Sequence, residues 1–441
     1  MDAYMLRPEE LPDLTIEKLG DCQIESPLTH DHCKFTPDDQ RVRMYSYSSD
    51  IEACEKIGQK VPSFELAGPR SKIYFDPAKL NAGIVTCGGL CPGLNDVIRT
   101  IVLALNWQYG VKNVLGFRYG YAGLTLDPPA EPIMLTEDLV DDIHLKGGDI
   151  LSSSRGPQDP DEMVDTLLKY HISLLFVIGG DGTLRGAADI VNTIKKRDLN
   201  IAVIGVPKTI DNDISGIARS FGFSTAVGAA RAAICGAHEE AKGAYNGIGL
   251  VKLMGRDSGF ITAYATLSNS DVNFCFIPEE PLILEGKDGF LSILERRLAK
   301  KRHAVIVVAE GAGQHLVNKD CTRKDASGNT LHADIGVFLR EKIKKHFKTR
   351  GIPVSMKYID PSYIIRSVPA DSFDSAFCLM LGQYAVHAGM TGRTNMVVGF
   401  WNENFTHVPI AVATLKRKKI DPNGPLWQTV LMTTGQARNH Y

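Results

Sequence analysis

The chain has 441 residues, enough for about two domains with cores of their own. Its 49 Lys and Arg nearly balance its 51 Asp and Glu, which leaves a net charge of −2. This balance excludes a general attraction to nucleic acid or an anionic membrane, and no apolar run approaches the ~20 residues of a membrane span. The nine cysteines lie scattered in apolar segments, as is typical of reduced thiols, so we expect a cytoplasmic protein.

Residues 1–77 are polar and show little hydrophobic periodicity. They predict an N-terminal extension that packs on the rest of the chain, links protomers or is partly disordered. The cluster His30-Asp31-His32 contains residue types found in metal sites, but we interpret it as a solvated loop.

Regular structure is predicted from residue 80, where an apolar strand over 80–86 leads into a glycine-rich turn that contains Gly89, and then into a helix over 96–105. Such a turn lets backbone N–H groups approach a phosphate at the positive end of a helix. The spacing matches neither common phosphate-loop motif, so a tight turn without a ligand is an equal alternative.

Two later turns also suit phosphates. A serine-rich loop ends in Arg155-Gly156, and its arginine either binds a phosphate or is simply solvated. A strand over 174–178 leads into Gly179-Gly180-Asp181-Gly182-Thr183 and a helix. These glycines admit a nucleotide phosphate chain to the backbone, and Asp181 suits a Mg²⁺ ion that bridges phosphates.

The segment Pro207-Lys208-Thr209-Ile210-Asp211-Asn212-Asp213 follows a predicted buried strand over 201–206. Open α/β sheets bind ligands at this end of their strands. One carboxylate of the segment can face a substrate hydroxyl while the other faces a metal, and Lys208 supplies a cation for phosphate. A turn that is merely rich in turn-forming residues is the alternative for this segment alone.

The second half of the chain repeats the pattern of strand and charged turn. It begins with a long Ala-rich helix capped by Ser224 and Thr225. The strands that follow are predicted over 248–253, 272–277 and 304–309, and the residues after the first and the last are Met254-Gly255-Arg256 and Glu310. Alternating strands and helices in both halves predict an α/β fold with two Rossmann-like, doubly wound domains that face each other across an active-site cleft.

The segment 415–419 is the densest positive patch of the chain. It lacks the aromatic partners of a nucleic-acid site. We interpret it as a solvated edge, with an allosteric anion site as the alternative.

The motifs 179–183, 207–213 and 254–256 occur in one chain and in this order, and together they resemble the 6-phosphofructokinases. The likeness covers about residues 78–410, and with its long N-terminal region the chain is similar to the plant and protist branch. The resemblance implies phosphoryl transfer from ATP to the 1-hydroxyl of fructose 6-phosphate in glycolysis, with Mg²⁺ as cofactor. It further implies an allosteric enzyme and a homo-oligomer, usually a tetramer.

Domain bounds are expected along with this family fold. After the extension over 1–77, a nucleotide-binding domain comprises 78–222 and about 374–416. A sugar-phosphate-binding domain comprises 223–373 and about 417–441.

The resemblance also assigns roles to individual residues. Asp211 matches the general base, with Arg256 and Lys208 as further catalytic residues, and the metal residues are Asp181 and Asp213. The nucleotide contacts are Gly89, Arg155, Gly156, Gly180, Asp181, Gly182 and Thr183. The sugar-phosphate contacts are Thr209, Ile210, Asp211, Met254, Gly255, Arg256, Glu310, Tyr363 and Arg366.

Gly182 and Lys208 bear on the phosphoryl donor. Members that use pyrophosphate resemble this chain at Lys208 but carry Asp at the position of Gly182, where a carboxylate would repel an α-phosphate. Gly182 leaves that space open and favours ATP, whereas Lys208 alone favours pyrophosphate. We predict that ATP is the donor. The absence of a repelling carboxylate at Gly182 weighs more in the choice of donor than the one cation of Lys208.

Two further alternatives come from other classes. A non-catalytic regulatory subunit that binds sugar phosphate would have lost a base or metal residue, yet Asp211, Asp181 and Arg256 are all present. A lipid or NAD kinase shares the turn at 179–183 but has no counterpart of the segment 207–213.

Overall fold

The structure is a computed structural model that describes residues 10–29, 33–317 and 332–436. The cluster His30-Asp31-His32 lies outside the described residues. The strands are β1 (Glu17–Lys18), β2 (Ile24–Glu25), β3 (Arg41–Arg43), β4 (Ser63–Leu66), β5 (Lys72–Ile73), β6 (Asn81–Thr86), β7 (Asn113–Phe117), β8 (Ile133–Met134), β9 (Leu174–Gly179), β10 (Ala202–Pro207), β11 (Gly247–Leu253), β12 (Phe274–Phe276), β13 (His303–Ala309), β14 (Ser355–Ile359), β15 (Arg393–Thr394), β16 (Met396–Trp401) and β17 (Asn404–Pro409).

The helices alternate with these strands. They are α1 (Ser48–Lys56), α2 (Leu94–Leu103), α3 (Glu137–Val140), α4 (Pro160–Lys169), α5 (Asp181–Lys196), α6 (Phe223–Lys242), α7 (Phe260–Leu267), α8 (Phe290–Lys301), α9 (Gln314–Val317), α10 (Ile335–Thr349), α11 (Ile364–Ser367), α12 (Ser372–Met390), α13 (Ile410–Ala413) and α14 (Pro425–Thr434). Within the described ranges, no helix is both long enough and apolar enough to cross a bilayer.

The larger sheet has the strand order β3-β4-β17-β16-β10-β9-β6-β7-β8. The strands from β16 to β7 are parallel to one another. Because side chains alternate along a strand, Phe176 and Ile178 of β9 pack with α2 and α12, whereas Leu175 and Val177 pack on the other face with α4 and α5. Helices therefore cover both faces of this sheet, as in doubly wound folds.

The smaller sheet has the order β12-β13-β11-β14, and all its strands are parallel. Ile306 and Val308 of β13 pack with α8 and α10, while Val305 and Val307 join the core that contains α6. The two layered sheets confirm the predicted α/β class with two Rossmann-like units. The domain boundaries stay a prediction.

The predicted capping of α6 by Ser224 and Thr225 is wrong. The N-cap residue is Gly222, which has a φ of 82°. The two hydroxyl groups lie in the first turn and donate to carboxylates at the start of α12, Ser224 Oγ to Asp371 at 3.2 Å and Thr225 Oγ1 to Asp374 at 2.7 Å. A glycine in the left-handed region starts the helix, so these hydroxyl groups bind a neighbouring helix instead.

The N-terminal residues pack on the larger sheet, where β4 pairs with β17 and β3 pairs with β4. Glu65 of β4 is buried, and its Oε1 lies 2.6 Å from Arg393 Nε, 3.0 Å from His407 Nδ1 and 3.3 Å from Arg70 Nη2. Burial alone would raise the pKa of Glu65, but the hydrogen bond with His407 and the charge of Arg393 lower it to about 2. This buried network attaches the N-terminal region to β17.

We predict that Glu65→Gln lowers the free energy of unfolding by about 3 kcal/mol, because the buried guanidinium groups of Arg70 and Arg393 lose the buried carboxylate that they share and keep the largely exposed Asp38. Urea denaturation measures this difference. The matched control is Glu25→Gln, which makes the same change in an exposed pair with Lys72 and should have a far smaller effect. A Glu65→Gln variant as stable as the wild type would contradict a stabilising role for the network.

Candidate active site

A cavity of about 550 Å³ lies where the carboxyl ends of the strands of the two sheets meet. The turns after β6, β9 and β10 form one wall, and the turns after β11 and β13 form the other. The predicted site residues that line it are Gly89, Arg155, Gly156, Gly180, Asp181, Gly182, Thr183, Lys208, Thr209, Ile210, Asp211, Asp213, Met254, Arg256, Glu310 and Arg366. Residues that are far apart in the sequence therefore meet at one site.

Two predicted sugar-phosphate residues do not line the cavity. Gly255 has a φ of 124°, and a β-carbon there would lie 2.6 Å from Ser258 O. Tyr363 is 74% exposed, and its ring centroid lies 4.9 Å from the guanidinium carbon of Arg366. Each of the two therefore adjoins an arginine that does line the cavity, Gly255 in sequence beside Arg256 and Tyr363 in space beside Arg366.

Cationic groups gather around the turn after β6. Lys208 Nζ donates to Gly89 O at 2.5 Å, and burial lowers the pKa of this lysine. A β-carbon on Gly89 would lie 2.9 Å from Arg366 Nη1 and 3.6 Å from Arg155 Nη2. Burial and the charge of Arg155 lower the pKa of Arg366. Two guanidinium groups and an ammonium group at one turn are suited to phosphate oxygens.

Helix α5 presents its N-terminus to the cavity. The helix begins at Asp181, and the preceding Gly180 has no side chain with which to cap it. The first backbone N–H groups of a helix and its dipole both favour an anion. A β-carbon on Gly182 would meet no described atom within 4 Å, so the space beside the helix start is open.

Three carboxyl groups of the cavity come from both walls, Asp211 and Asp213 from the turn after β10 and Glu310 from the turn after β13. Burial raises the pKa of Asp211 well above its usual range, and the negative charges of Asp213 and Glu310 raise it further. Burial also raises the pKa of Asp213 and that of Glu310. Thr209 Oγ1 donates to Asp213 Oδ1 at 3.1 Å, whereas the buried Asp211 Oδ1 has no hydrogen-bond partner among the described residues. A carboxylate oxygen in this condition is a candidate for contact with a ligand.

The interpretation of 415–419 as a solvated edge is wrong for Arg417 and Lys418, whereas Leu415, Lys416 and Lys419 are exposed. Arg417 lines the cavity, and its Nε lies 3.5 Å from Asp181 Oδ2. Its Nη1 donates to Asp257, which follows Arg256 in the turn after β11 and does not itself line the cavity. Both Arg417 and Asp257 were absent from the residues that the sequence predicts for the site.

The neighbouring Lys418 is buried as well. Its Nζ donates to Ile217 O and to Ala218 O, at 3.0 Å in each case, and burial lowers the pKa of the lysine to about 7. Lys416 and Lys419 are exposed. No local pattern distinguishes the two inward-facing cations from the two exposed ones, because the acceptors come from distant parts of the chain.

Fold and cavity together define an α/β protein with a cavity of glycine turns, cations and carboxylates at the carboxyl ends of the parallel strands of two sheets. The sequence profile of the phosphofructokinase family matches residues 81–389. The ATP-dependent 6-phosphofructokinase of Borreliella burgdorferi is 49% identical over 98% of both chains. The ATP-dependent 6-phosphofructokinase of Trypanosoma brucei brucei is 49% identical over 83% of this chain and 75% of its own. The chain belongs to the phosphofructokinase family.

Solved structures share the fold. A pyrophosphate-dependent phosphofructokinase from Marinobacter aquaeolei matches with a TM-score of 0.66 at 17% identity, covering 82% of this chain and 93% of that one. Phosphofructokinase from Saccharomyces cerevisiae matches with a TM-score of 0.63 at 20% identity, covering 80% of this chain and 50% of that one. At such low identity these matches show the fold alone.

Proposed function

We propose that the protein is an ATP-dependent 6-phosphofructokinase that transfers a phosphoryl group from ATP to the 1-hydroxyl of fructose 6-phosphate in glycolysis. The observation that carries this proposal is one cavity in which the glycine turns at Gly89 and Gly180, the carboxylates Asp181 and Asp211, and Arg256 come together. Relatives named for this activity are 44% to 49% identical to the chain, which supports the same substrates here.

Asp211 is the general base of the proposed reaction. Its Oδ1 makes no hydrogen bond to the described residues, so it is available to accept the proton of the sugar hydroxyl. Phosphoryl transfer requires positioning and charge stabilisation more than covalent chemistry. Arg256 offsets negative charge on the group in transfer, and Lys208 steadies the donor phosphates from its position beside Gly89.

Asp181 and Asp213 are the proposed Mg²⁺ ligands. Arg417 Nε lies 3.5 Å from Asp181 Oδ2 and 4.0 Å from Asp213 Oδ2, so both carboxylates converge on one region. Proteins commonly hold Mg²⁺ by one or two carboxylates together with substrate phosphates, so this pair fits the ion. Bound Mg²⁺ supplies positive charge that neutralises the phosphate oxygens.

The remaining contacts divide between the two substrates. Arg366 is proposed for the 6-phosphate of the sugar, because the family resemblance assigns it there and its guanidinium group lies at the cavity. The other proposed sugar-phosphate contacts are Thr209, Ile210, Met254, Gly255, Glu310 and Tyr363. The proposed nucleotide contacts are Gly89, Arg155, Gly156, Gly180, Asp181, Gly182 and Thr183.

ATP is the proposed donor because the space at Gly182 is open. The names of the relatives support the same donor. The buried Lys208 is the feature that favours pyrophosphate as the alternative, since it brings a cation to the end of the phosphate site.

We further propose an allosteric homo-oligomer, with a tetramer as the family expectation, located in the cytoplasm. Exposed apolar side chains on α12 support an oligomer, because Phe373, Leu379 and Met380 face outward on a helix whose other side is buried. The cytoplasmic location is supported by the free thiols of the described cysteines.

We predict that Asp211→Asn lowers kcat by about 10²- to 10⁴-fold, the usual contribution of a positioned general base. Dissociation constants for ATP should stay near those of the wild type, because the change leaves the glycine turns intact. Steady-state kinetics and calorimetry measure the two effects. Asp161→Asn, the same change at the exposed start of α4, is the matched control and should have full activity. If the kcat of Asp211→Asn were close to that of the wild type, Asp211 would not be the general base.

We also predict that Gly182→Asp lowers kcat/KM for ATP by at least about tenfold, because the new carboxylate lies in the phosphate site. The fold should be unaffected, since a β-carbon there meets no described atom within 4 Å. Gly182→Asn is the matched control for volume without charge, and its loss should be smaller. Wild-type use of ATP by the Gly182→Asp variant would show that this position does not select the donor.

A further inference from the structure

One arginine contacts carboxylates from both walls of the cavity. Arg417 Nε lies 3.5 Å from Asp181 Oδ2 and 4.0 Å from Asp213 Oδ2, and Nη1 of the same side chain donates to Asp257 Oδ2. Asp181 starts α5, Asp213 follows β10, and Asp257 follows β11 of the smaller sheet. Asp181 Oδ2 also pairs with Arg185 Nη2 at 2.9 Å within α5. The guanidinium group of Arg417 is the one that connects the carboxylates of the three separate elements.

The backbone beside Arg417 is fixed to the segment that carries one of these carboxylates. Lys418 N donates to Asp213 O at 2.7 Å, and Arg417 forms an isolated antiparallel bridge with Ile214. Lys418 is held in turn by the carbonyl oxygens of two residues in the following loop. The guanidinium group consequently reaches the carboxylates from an anchored main chain.

The contacts with the three carboxylates differ in closeness. Charge-assisted hydrogen bonds of N–H to carboxylate are about 2.7–2.9 Å long. The distances from Nε to Asp181 and Asp213 exceed this range, whereas the contact of Nη1 with Asp257 is direct. Arg417 is thus tied firmly to Asp257 and more loosely to the pair that is proposed to hold the metal.

We infer that Arg417 is a positioning residue that neutralises Asp181 and Asp213 while no nucleotide is bound. When the divalent cation binds together with the nucleotide, the guanidinium group moves away from these two carboxylates and retains its contact with Asp257. This inference rests on the proposed function, because it takes Asp181 and Asp213 as the metal ligands. Mg²⁺ lies about 2.0–2.1 Å from its oxygen ligands, so the guanidinium and the cation compete for the same two carboxylates. Arg417 thereby weakens metal binding in the absence of nucleotide.

A purely structural clamp between the two walls is the competing interpretation. A clamp affects stability when it is removed, but it leaves the affinity for a metal ion unchanged. The two interpretations therefore separate in a measurement of metal binding without substrates.

The experiment titrates the full-length protein with Mn²⁺ alone and follows free Mn²⁺ by electron paramagnetic resonance. Arg417→Gln should bind Mn²⁺ at least about tenfold more tightly than the wild type, because the competing charge is removed. Arg417→Lys keeps the charge and should lie close to the wild type. The matched control Lys419→Gln removes an exposed cation of the same segment and should not change the affinity.

A second variant changes the affinity in the opposite direction. Asp257→Asn removes the firm contact of Arg417, so the guanidinium should bind Asp181 and Asp213 more strongly, and the Mn²⁺ affinity should fall. The gain in Arg417→Gln should vanish when Asp181→Asn is added, because the site loses one ligand.

An unchanged or weaker Mn²⁺ affinity in folded Arg417→Gln would overturn the inference, as would an equal gain in Lys419→Gln. If Arg417→Gln does not fold, an unchanged or higher affinity in Asp257→Asn would overturn it. The assay contains neither sugar nor nucleotide. A wild type that fails to phosphorylate fructose 6-phosphate would therefore refute the proposed function separately, whatever the Mn²⁺ titration gives.

Discussion

The burial of neighbouring carboxyl groups is the constraint on which the cavity depends. Asp181, Asp211 and Asp213 follow neighbouring strands of the larger sheet, and Glu310 is added by the smaller one. Burial strengthens the repulsion, because a low local dielectric weakens screening. Burial is the largest cause of the raised pKa of Asp211, Asp213 and Glu310, and for Asp211 the charges of Asp213 and Glu310 raise the pKa further. The carboxylates can stay ionised together only where cations are brought to them, and Arg417 is one such cation.

The charged side chains of the cavity form two groups of opposite sign. Lys208, Arg155 and Arg366 surround the turn at Gly89, where backbone N–H groups and cations suit phosphate oxygens. The carboxylates lie beside them and suit a metal ion and a sugar hydroxyl. A reaction that joins a polyphosphate to an alcohol needs both groups within one cavity. The parallel strands of the two sheets supply this arrangement, because the carboxyl ends of parallel strands lie at the same edge.

How well the sequence predicts a strand or a site residue depends on how far along the chain its interaction partner lies. The strand predicted over 174–178 is observed at Leu174–Gly179, because a continuous apolar run is a local signal. The glycine motifs after such strands likewise locate most of the cavity lining. Arg417 was missed because its carboxylate partners are distant in sequence and a run of lysines and arginines is usually solvated. The strand β4 was missed for a similar reason, since its partner, β17, lies near the other end of the chain.

The most direct test of the proposed function is the initial rate of fructose 1,6-bisphosphate formation by the wild-type protein. The assay supplies fructose 6-phosphate and Mg²⁺, with ATP or pyrophosphate as the donor in parallel reactions. We expect turnover with ATP and none with pyrophosphate, because the open space at Gly182 admits the α-phosphate of a nucleotide. Turnover with pyrophosphate alone would mean that Lys208 decides the donor. The absence of turnover with both donors would contradict the proposed catalysis and favour a regulatory subunit that binds sugar phosphate.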